Sequence, residues 1–215
     1  MKKVFFLIVA AVFILTIKPA SAEKIPANAR KLIRYYKERI SGFEDNHIVF
    51  TDGTRMKWDD GIENKSYQQL LDVPDLEDMF HDKYNKRKAK IPLPVNYDPG
   101  RIRVEPFFLK LYGESADKVR ENLREMVWCP KLVGQKIRVS TLYGADKQFE
   151  KISKELDQYP EFAPYLTKIA GTFNWRKIAG TDRLSMHSFG MTMDINTRFT
   201  HYWQWDCKCK NEDVV

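Results

Sequence analysis

Apolar side chains recur at the three- and four-residue spacing of an amphipathic helix in three stretches, residues 26–41, 115–128 and 145–159. Pro26 suits the first turn of the first helix, and Ser115 is a good cap for the second. The pattern therefore predicts three amphipathic helices, one near the start of the chain and two beyond its middle.

Other stretches favour strands. Residues 47–58, "HIVFTDGTRMKW", contain two β-rich runs joined by Asp52-Gly53, which predicts a hairpin. Residues 136–143 predict another strand, and residues 164–205 predict short strands and turns. Within the charged stretch 59–100, residues 91–100, "IPLPVNYDPG", have three prolines and a terminal glycine and predict an irregular connector. Helices and strands segregated in this way predict an α+β fold, with a small antiparallel sheet flanked by helices.

The first 22 residues have the form of a secretory signal peptide. Lys2 and Lys3 precede an apolar run from Val4 to Ile17, and small residues lead to a cleavage site after Ala22. The run is short for a bilayer span, so we expect an exported, periplasmic or extracellular protein with no stable membrane insertion, although an uncleaved anchor is the alternative. Cleavage leaves an N-terminal accessory segment, 23–112, and a second domain, 113–215.

Charge and cysteines narrow the choice of partners. The formal charge falls from +7 to +4 once Lys2, Lys3 and Lys18 are removed with the signal, which suits work near an anionic polymer. The basic run at 83–90, "KYNKRKAK", lacks recurrent aromatic residues for base stacking, so we expect a solvated face and no nucleic-acid partner.

Three cysteines permit at most one intramolecular disulfide in an oxidising compartment. Cys207 and Cys209 have no second thiol pair with which to form a structural zinc site. A bridge from Cys129 to one of them, or a free thiol, is the expectation.

Residues 183–196, "RLSMHSFGMTMDIN", carry the candidate chemistry. In an extended segment Ser185 and His187 share a face, and Gly190 permits a turn that brings His187 toward Asp194. An imidazole nitrogen and a carboxylate oxygen are ordinary zinc ligands, but a catalytic zinc takes three protein ligands. The alternative is a core or surface histidine and an aspartate that caps a strand end.

The spacing Ser185-x-His187-x-x-Gly190-x-x-x-Asp194 resembles the S-x-H-x-x-G-x-x-x-D motif of the zinc D-alanyl-D-alanine carboxypeptidases and dipeptidases. That family includes the vancomycin-resistance D,D-peptidases and phage L-alanyl-D-glutamate endolysins, and the resemblance covers about residues 137–205. It implies a peptidase-like domain over 113–215, zinc as cofactor held by His187 and Asp194, and Ser185 as a hydrogen-bonding or substrate-binding residue.

The chain departs from the family after Asp194. Family members carry a third ligand and a general base in a downstream Glu-x-x-His, which this sequence lacks. His201, Cys207 and Cys209 are the candidate substitute ligands. Three explanations stay open: a truncated chain, a metal-poor remnant that only binds wall peptides, or a site completed in an unfamiliar way.

The family's substrate-binding arginine, often in Tyr-Arg-Ser, is also absent, because residues 143–145 are Tyr-Gly-Ala. Arg176 is the first candidate to hold a substrate carboxylate or the developing oxyanion, and Arg183 is the second. Either arginine can equally be a solvated residue at a strand end.

The resemblance implies an exported zinc metallopeptidase that acts on peptidoglycan stem peptides as a D,D-carboxypeptidase, with metal-activated water as nucleophile. The alternative is a non-catalytic protein that binds the cell wall on the same fold. A weaker possibility is an exported protein whose basic face binds another anionic partner and whose motif match is accidental.

Overall fold

The computed structural model describes residues 24–84 and 94–199. The predicted signal peptide, most of the basic run at 83–90, His201, Cys207 and Cys209 lie outside those residues. No helix in the described ranges is long and apolar enough to cross a membrane.

The described chain alternates short helices with short antiparallel strands, which confirms the α+β prediction. The α-helices are α1 (Ala27–Tyr35), α2 (Tyr67–Asp72), α3 (Glu105–Tyr112), α4 (Ala116–Arg120), α5 (Ala145–Leu156) and α6 (Ala163–Leu166). The strands are β1 (Ile40–Glu44), β2 (His47–Phe50), β3 (Arg55–Lys57), β4 (Leu123–Trp128) and β5 (Gln135–Ser140). The 3-10 helices are Asp78–Phe80, Leu142–Gly144, Pro160–Phe162, Met186–Phe189 and Thr197–Phe199.

Two antiparallel sheets organise these elements. Strands β1, β2 and β3 form a three-stranded sheet in sequence order, and β2 and β3 flank the Asp52-Gly53 turn as predicted. Strands β4 and β5 pair in register from Leu123 opposite Ser140 to Trp128 opposite Gln135. Helix α5 contacts both strands of the second sheet.

The main hydrophobic core takes residues from both sides of residue 112. One buried cluster contains Leu32 of α1, Phe107 of α3, Val119 of α4 and Phe189 of residues 183–196, called the motif segment below. A second cluster between β4, β5 and the segment after α5 includes Trp128, Val139 and Ile169. The motif segment is therefore packed on a core to which residues 24–112 contribute most of the side chains.

Two sequence-based predictions of local structure were wrong. The helix predicted over 115–128 ends at Arg120, and β4 follows. Met126 and Trp128 are both buried while Val127 is exposed, so the period is two at that end, and pairing with β5 buries both side chains. The helix predicted over 26–41 stops at Tyr35, because Ile40 begins β1 and is buried in the main core.

Helix α2 lies in the charged stretch 59–100, to which no helix was assigned from the sequence. Ser66 begins α2 with a capping box: its hydroxyl accepts a hydrogen bond from the backbone N–H of Gln69, whose side chain accepts one from the N–H of Ser66. A reciprocal cap of this kind stabilises even a six-residue helix within a polar stretch.

Candidate functional site

The segment Met186–Phe189 forms a 3-10 helix before the turn at Gly190, which corrects the prediction of an extended piece there. Ser185 caps the 3-10 helix Met186–Phe189, and its hydroxyl accepts a hydrogen bond from the backbone N–H of His187 at 3.4 Å. Local hydrogen bonding of this kind competes with extended structure, which explains why an extended segment was wrongly predicted for Ser185 and His187. The helix ends at Gly190, whose φ of 66° lies in the left-handed region.

Gly190 is also fixed by its neighbours. Its carbonyl oxygen accepts a hydrogen bond from the N–H of Ser140 at 2.9 Å, which ties the turn to the end of β5. A Cβ atom added there would lie 2.6 Å from Cδ2 of Leu123 on β4. The left-handed backbone conformation favours glycine, as the predicted turn implied, and a Cβ there would also displace the end of the Leu123 side chain.

Ser188 fastens the motif to the preceding segment, a role that the sequence did not reveal. Its fully buried hydroxyl donates toward the carbonyl oxygen of Arg176 at 3.2 Å and accepts from the N–H of Arg176 at 3.1 Å. The backbone N–H of Ser185 donates to the same Arg176 carbonyl. Arg176 is therefore held beside the motif by its backbone, with its side chain exposed.

The turn brings the two predicted ligands together. Nε2 of His187 lies 3.3 Å from Oδ1 of Asp194, with the histidine side chain 14% exposed and the aspartate side chain 52% exposed. Asp194 is held by an isolated antiparallel bridge to Ala170, outside both sheets. The convergence predicted from the sequence is thus present, although the backbone path differs from the predicted one.

The pair lines a cleft with a volume of about 820 Å³. Ser185, Arg176 and Thr192 also line this cleft. The Thr192 hydroxyl is buried and makes no hydrogen bond to any described residue.

Arg183, the second candidate arginine, lies elsewhere. Its Nη1 donates to the carbonyl oxygen of Leu71 at 3.0 Å and is 3.9 Å from Oδ1 of Asp72. It lines a small adjoining cavity of about 30 Å³, and its buried Nε has no hydrogen-bond partner among the described residues. These contacts connect the motif segment to α2.

Another wall of the cleft comes from residues 98–103, none of which was a candidate from the sequence. Arg101 and Arg103 line the cleft, while Ile102 between them is buried against Leu70 and Leu71 of α2. A buried apolar residue flanked by two arginines at a spacing of two is the signal that would have found this wall.

The described residues supply only two ligands for a metal at the motif. Groups of three acidic side chains close enough to hold an ion occur elsewhere, at Asp59, Asp60 and Asp75, and around Asp75, Glu77 and Asp78. The ammonium of Lys65 already forms ion pairs with Asp60, Asp75 and Asp78, which belong to these two groups.

Cys129 is a buried free thiol in the second core cluster. Its backbone N–H donates to the Ser153 hydroxyl at 2.7 Å, and burial raises the pKa of the thiol. It lies apart from the cleft, and the possible partners Cys207 and Cys209 lie outside the described residues.

Comparisons of the chain with protein-family models, with curated proteins and with solved structures find no match.

Proposed function

We propose that this chain is an exported zinc peptidase of the D-alanyl-D-alanine carboxypeptidase type that acts on peptidoglycan stem peptides. The observation that carries the proposal is the His187–Asp194 pair, which lines an open cleft. Two ligand atoms each about 2.1 Å from one zinc ion at a tetrahedral angle lie about 3.4 Å apart. The 3.3 Å between Nε2 and Oδ1 therefore fits shared coordination of one ion.

The residues present fit a metal as donors, since imidazole and carboxylate are both zinc ligands. Bound zinc supplies Lewis acidity and activates water toward a peptide carbonyl. Ser185 holds the backbone of His187 in place through the cap, and Arg176 presents a guanidinium to the cleft for a carboxylate or a developing oxyanion.

A non-catalytic wall-binding protein on the same fold is the second candidate. It is favoured by one observation: within the described residues no third metal ligand accompanies His187 and Asp194. His201, Cys207, Cys209 and Glu212 lie outside those residues. Both candidates bind wall peptides, so binding to purified wall does not separate them.

Zinc content separates the two candidates. We expect about one zinc per chain in the purified protein by elemental analysis, and loss of that zinc in His187→Ala and Asp194→Ala. His81→Ala is the matched control, because His81 also lies beside an aspartate, with Nδ1 3.1 Å from Asp82, but away from the cleft. Zinc at the same level in His187→Ala would reject the metal site.

Turnover tests the reaction. With a peptide ending in D-Ala-D-Ala, the proposed activity releases only the terminal D-alanine, which chromatography of the products detects. Release of an internal fragment instead would identify an endopeptidase, and zinc binding without any cleavage would favour the binding protein.

A further inference from the structure

The guanidinium of Arg103 is placed where a bound anion would be expected. It is half-buried at the edge of the cleft, and Nε donates to the carbonyl oxygen of Arg101 at 3.2 Å. No carboxylate of the described residues lies within ion-pairing distance of it, although Asp98 lines the same cleft. A guanidinium that lines a cleft and has no ion pair among the described residues can bind an anionic ligand there.

Its surroundings add to the positive potential. Burial, together with the charges of Arg101 and Arg183, lowers the pKa of Arg103 to about 10, while Asp98 acts in the opposite direction. The group therefore stays charged at neutral pH. Clustered guanidinium groups in a concave surface attract anions and bind carboxylates through paired N–H donors.

The cleft thus presents arginine from two separate parts of the chain. Arg176 follows the backbone of the motif, whereas Arg101 and Arg103 stand on the wall formed by residues 98–103. This wall is anchored to the motif, because Oε2 of Glu105 accepts a hydrogen bond from the N–H of Leu184 at 2.5 Å. Two anchored arginine positions suit a ligand that carries more than one carboxylate.

We propose that Arg103, with Arg101 beside it, binds a second carboxylate of the peptide, while Arg176 binds the C-terminal carboxylate next to the His187–Asp194 pair. This inference rests on the proposed function, and it gives that function a specificity. Among stem peptides, those with diaminopimelate at the third position carry one side-chain carboxylate more than those with lysine. The chain should therefore prefer the diaminopimelate peptides.

The test uses two tetrapeptides, L-Ala-γ-D-Glu-X-D-Ala with X either meso-diaminopimelate or L-lysine, because a D,D-carboxypeptidase does not shorten them. Calorimetry on the purified chain should give a dissociation constant about tenfold lower for the diaminopimelate peptide, the size expected for one charge-assisted contact. Arg103→Met should remove that preference and leave the affinity for the lysine peptide nearly unchanged. Arg34→Met, an exposed site on α1, makes the same change in net charge and should keep the preference.

Three results would each overturn the inference. The unaltered chain could bind both peptides with equal affinity, Arg103→Met could keep the preference, or Arg176→Met could abolish it instead. Failure of both peptides to bind would overturn it as well. These outcomes are distinguishable from failure of the proposed function, which zinc content and cleavage judge separately. A preference that depends on Arg103 in a chain without zinc would uphold the inference while rejecting the peptidase.

Discussion

Two regions of the molecule gather charged side chains, and they do so in opposite ways. Around Lys65, whose side chain is 2% exposed, the ammonium lies 2.7 Å from Asp60, 3.1 Å from Asp75 and 2.5 Å from Asp78. In the cleft, the half-buried guanidinium of Arg103 faces open volume without an ion pair among the described residues.

The Lys65 cluster is complete within the protein. Asp75 and Asp78 also accept hydrogen bonds from each other's backbone N–H, and Asp75 accepts one from Asp60. A buried cation held by several carboxylates contributes to the fold, whereas a cation held in a cleft without an ion pair weakens it and can serve a ligand. The comparison predicts that removing a charge has opposite effects on stability in the two regions.

The largest effect is expected from Lys65→Met. The substitution keeps most of the side-chain volume but leaves neighbouring carboxylates without their cation, and breaking a buried ion pair on one side costs about 3 to 5 kcal/mol. Urea unfolding followed by circular dichroism should show that loss of unfolding free energy. The matched control is Lys118→Met, whose ammonium pairs with Glu121 on the surface at 2.9 Å and should cost less than about 0.5 kcal/mol.

The pH dependence of the stability difference between the unaltered chain and Lys65→Met tests whether the difference is electrostatic. The hydrogen bond from Lys65 holds the pKa of Asp60 below its usual 3.8, and a lowered pKa gives stability that is present above 3.8 and lost as the pH falls through the lower value. The gap between the unaltered chain and Lys65→Met should therefore narrow below about pH 4. A gap independent of pH would assign the effect to packing.

A smaller loss is expected from Gly190→Ala, which acts on the cleft rather than on the Lys65 cluster. An alanine in the left-handed conformation costs about 1 to 2 kcal/mol, and contact with Leu123 adds to it, for a total of about 2 to 3 kcal/mol. Thermal and urea unfolding measure the loss. Because the turn sets the His187–Asp194 distance, zinc content should fall as well.

Gly180→Ala measures the cost of the left-handed backbone conformation alone, without a steric contact. Gly180 has a φ of 75°, and nothing lies within 4 Å of the position a Cβ would take. It should lose only about 1 to 2 kcal/mol. Equal losses in the two variants would mean that the close approach at Leu123 contributes nothing to the position of the turn.

The features that the sequence predicted depend on local chemistry. The hairpin about Asp52-Gly53 and helix α5 follow from a turn dipeptide and an apolar stripe, and both are present. Strand β4 was missed because the spacing of its apolar residues also fits a helix, and only pairing with β5 decides between the two. Long-range pairing of this kind has no signature within a short window.

The site was predictable to a similar extent. Residue spacing identified His187, Asp194 and the turn at Gly190, because these are close in sequence. The wall at Arg101 and Arg103 was missed because it approaches the motif only through tertiary contacts, such as that of Glu105 with Leu184. Arg183 was a candidate by its position in the sequence, yet its guanidinium contacts Leu71 of α2.

The smallest expected effect has the opposite sign. Arg103→Met removes a half-buried charge that repels Arg101 and Arg183 and keeps a flexible apolar side chain of similar length, at the cost of one hydrogen bond to the Arg101 carbonyl. Replacing a poorly compensated charge by an apolar residue is commonly neutral or stabilising. We expect the unfolding free energy to stay the same or to rise by up to about 1 kcal/mol.

Urea unfolding of Arg103→Met beside Lys65→Met compares the two regions directly, since each variant exchanges one cation for methionine. Addition of the diaminopimelate tetrapeptide should stabilise the unaltered chain more than Arg103→Met, because a ligand stabilises the folded state according to its affinity. A loss of more than about 1 kcal/mol in Arg103→Met without ligand would show that Arg103 is part of the scaffold. The cleft would then resemble the Lys65 cluster, and the contrast between a completed and an open set of charges would be lost.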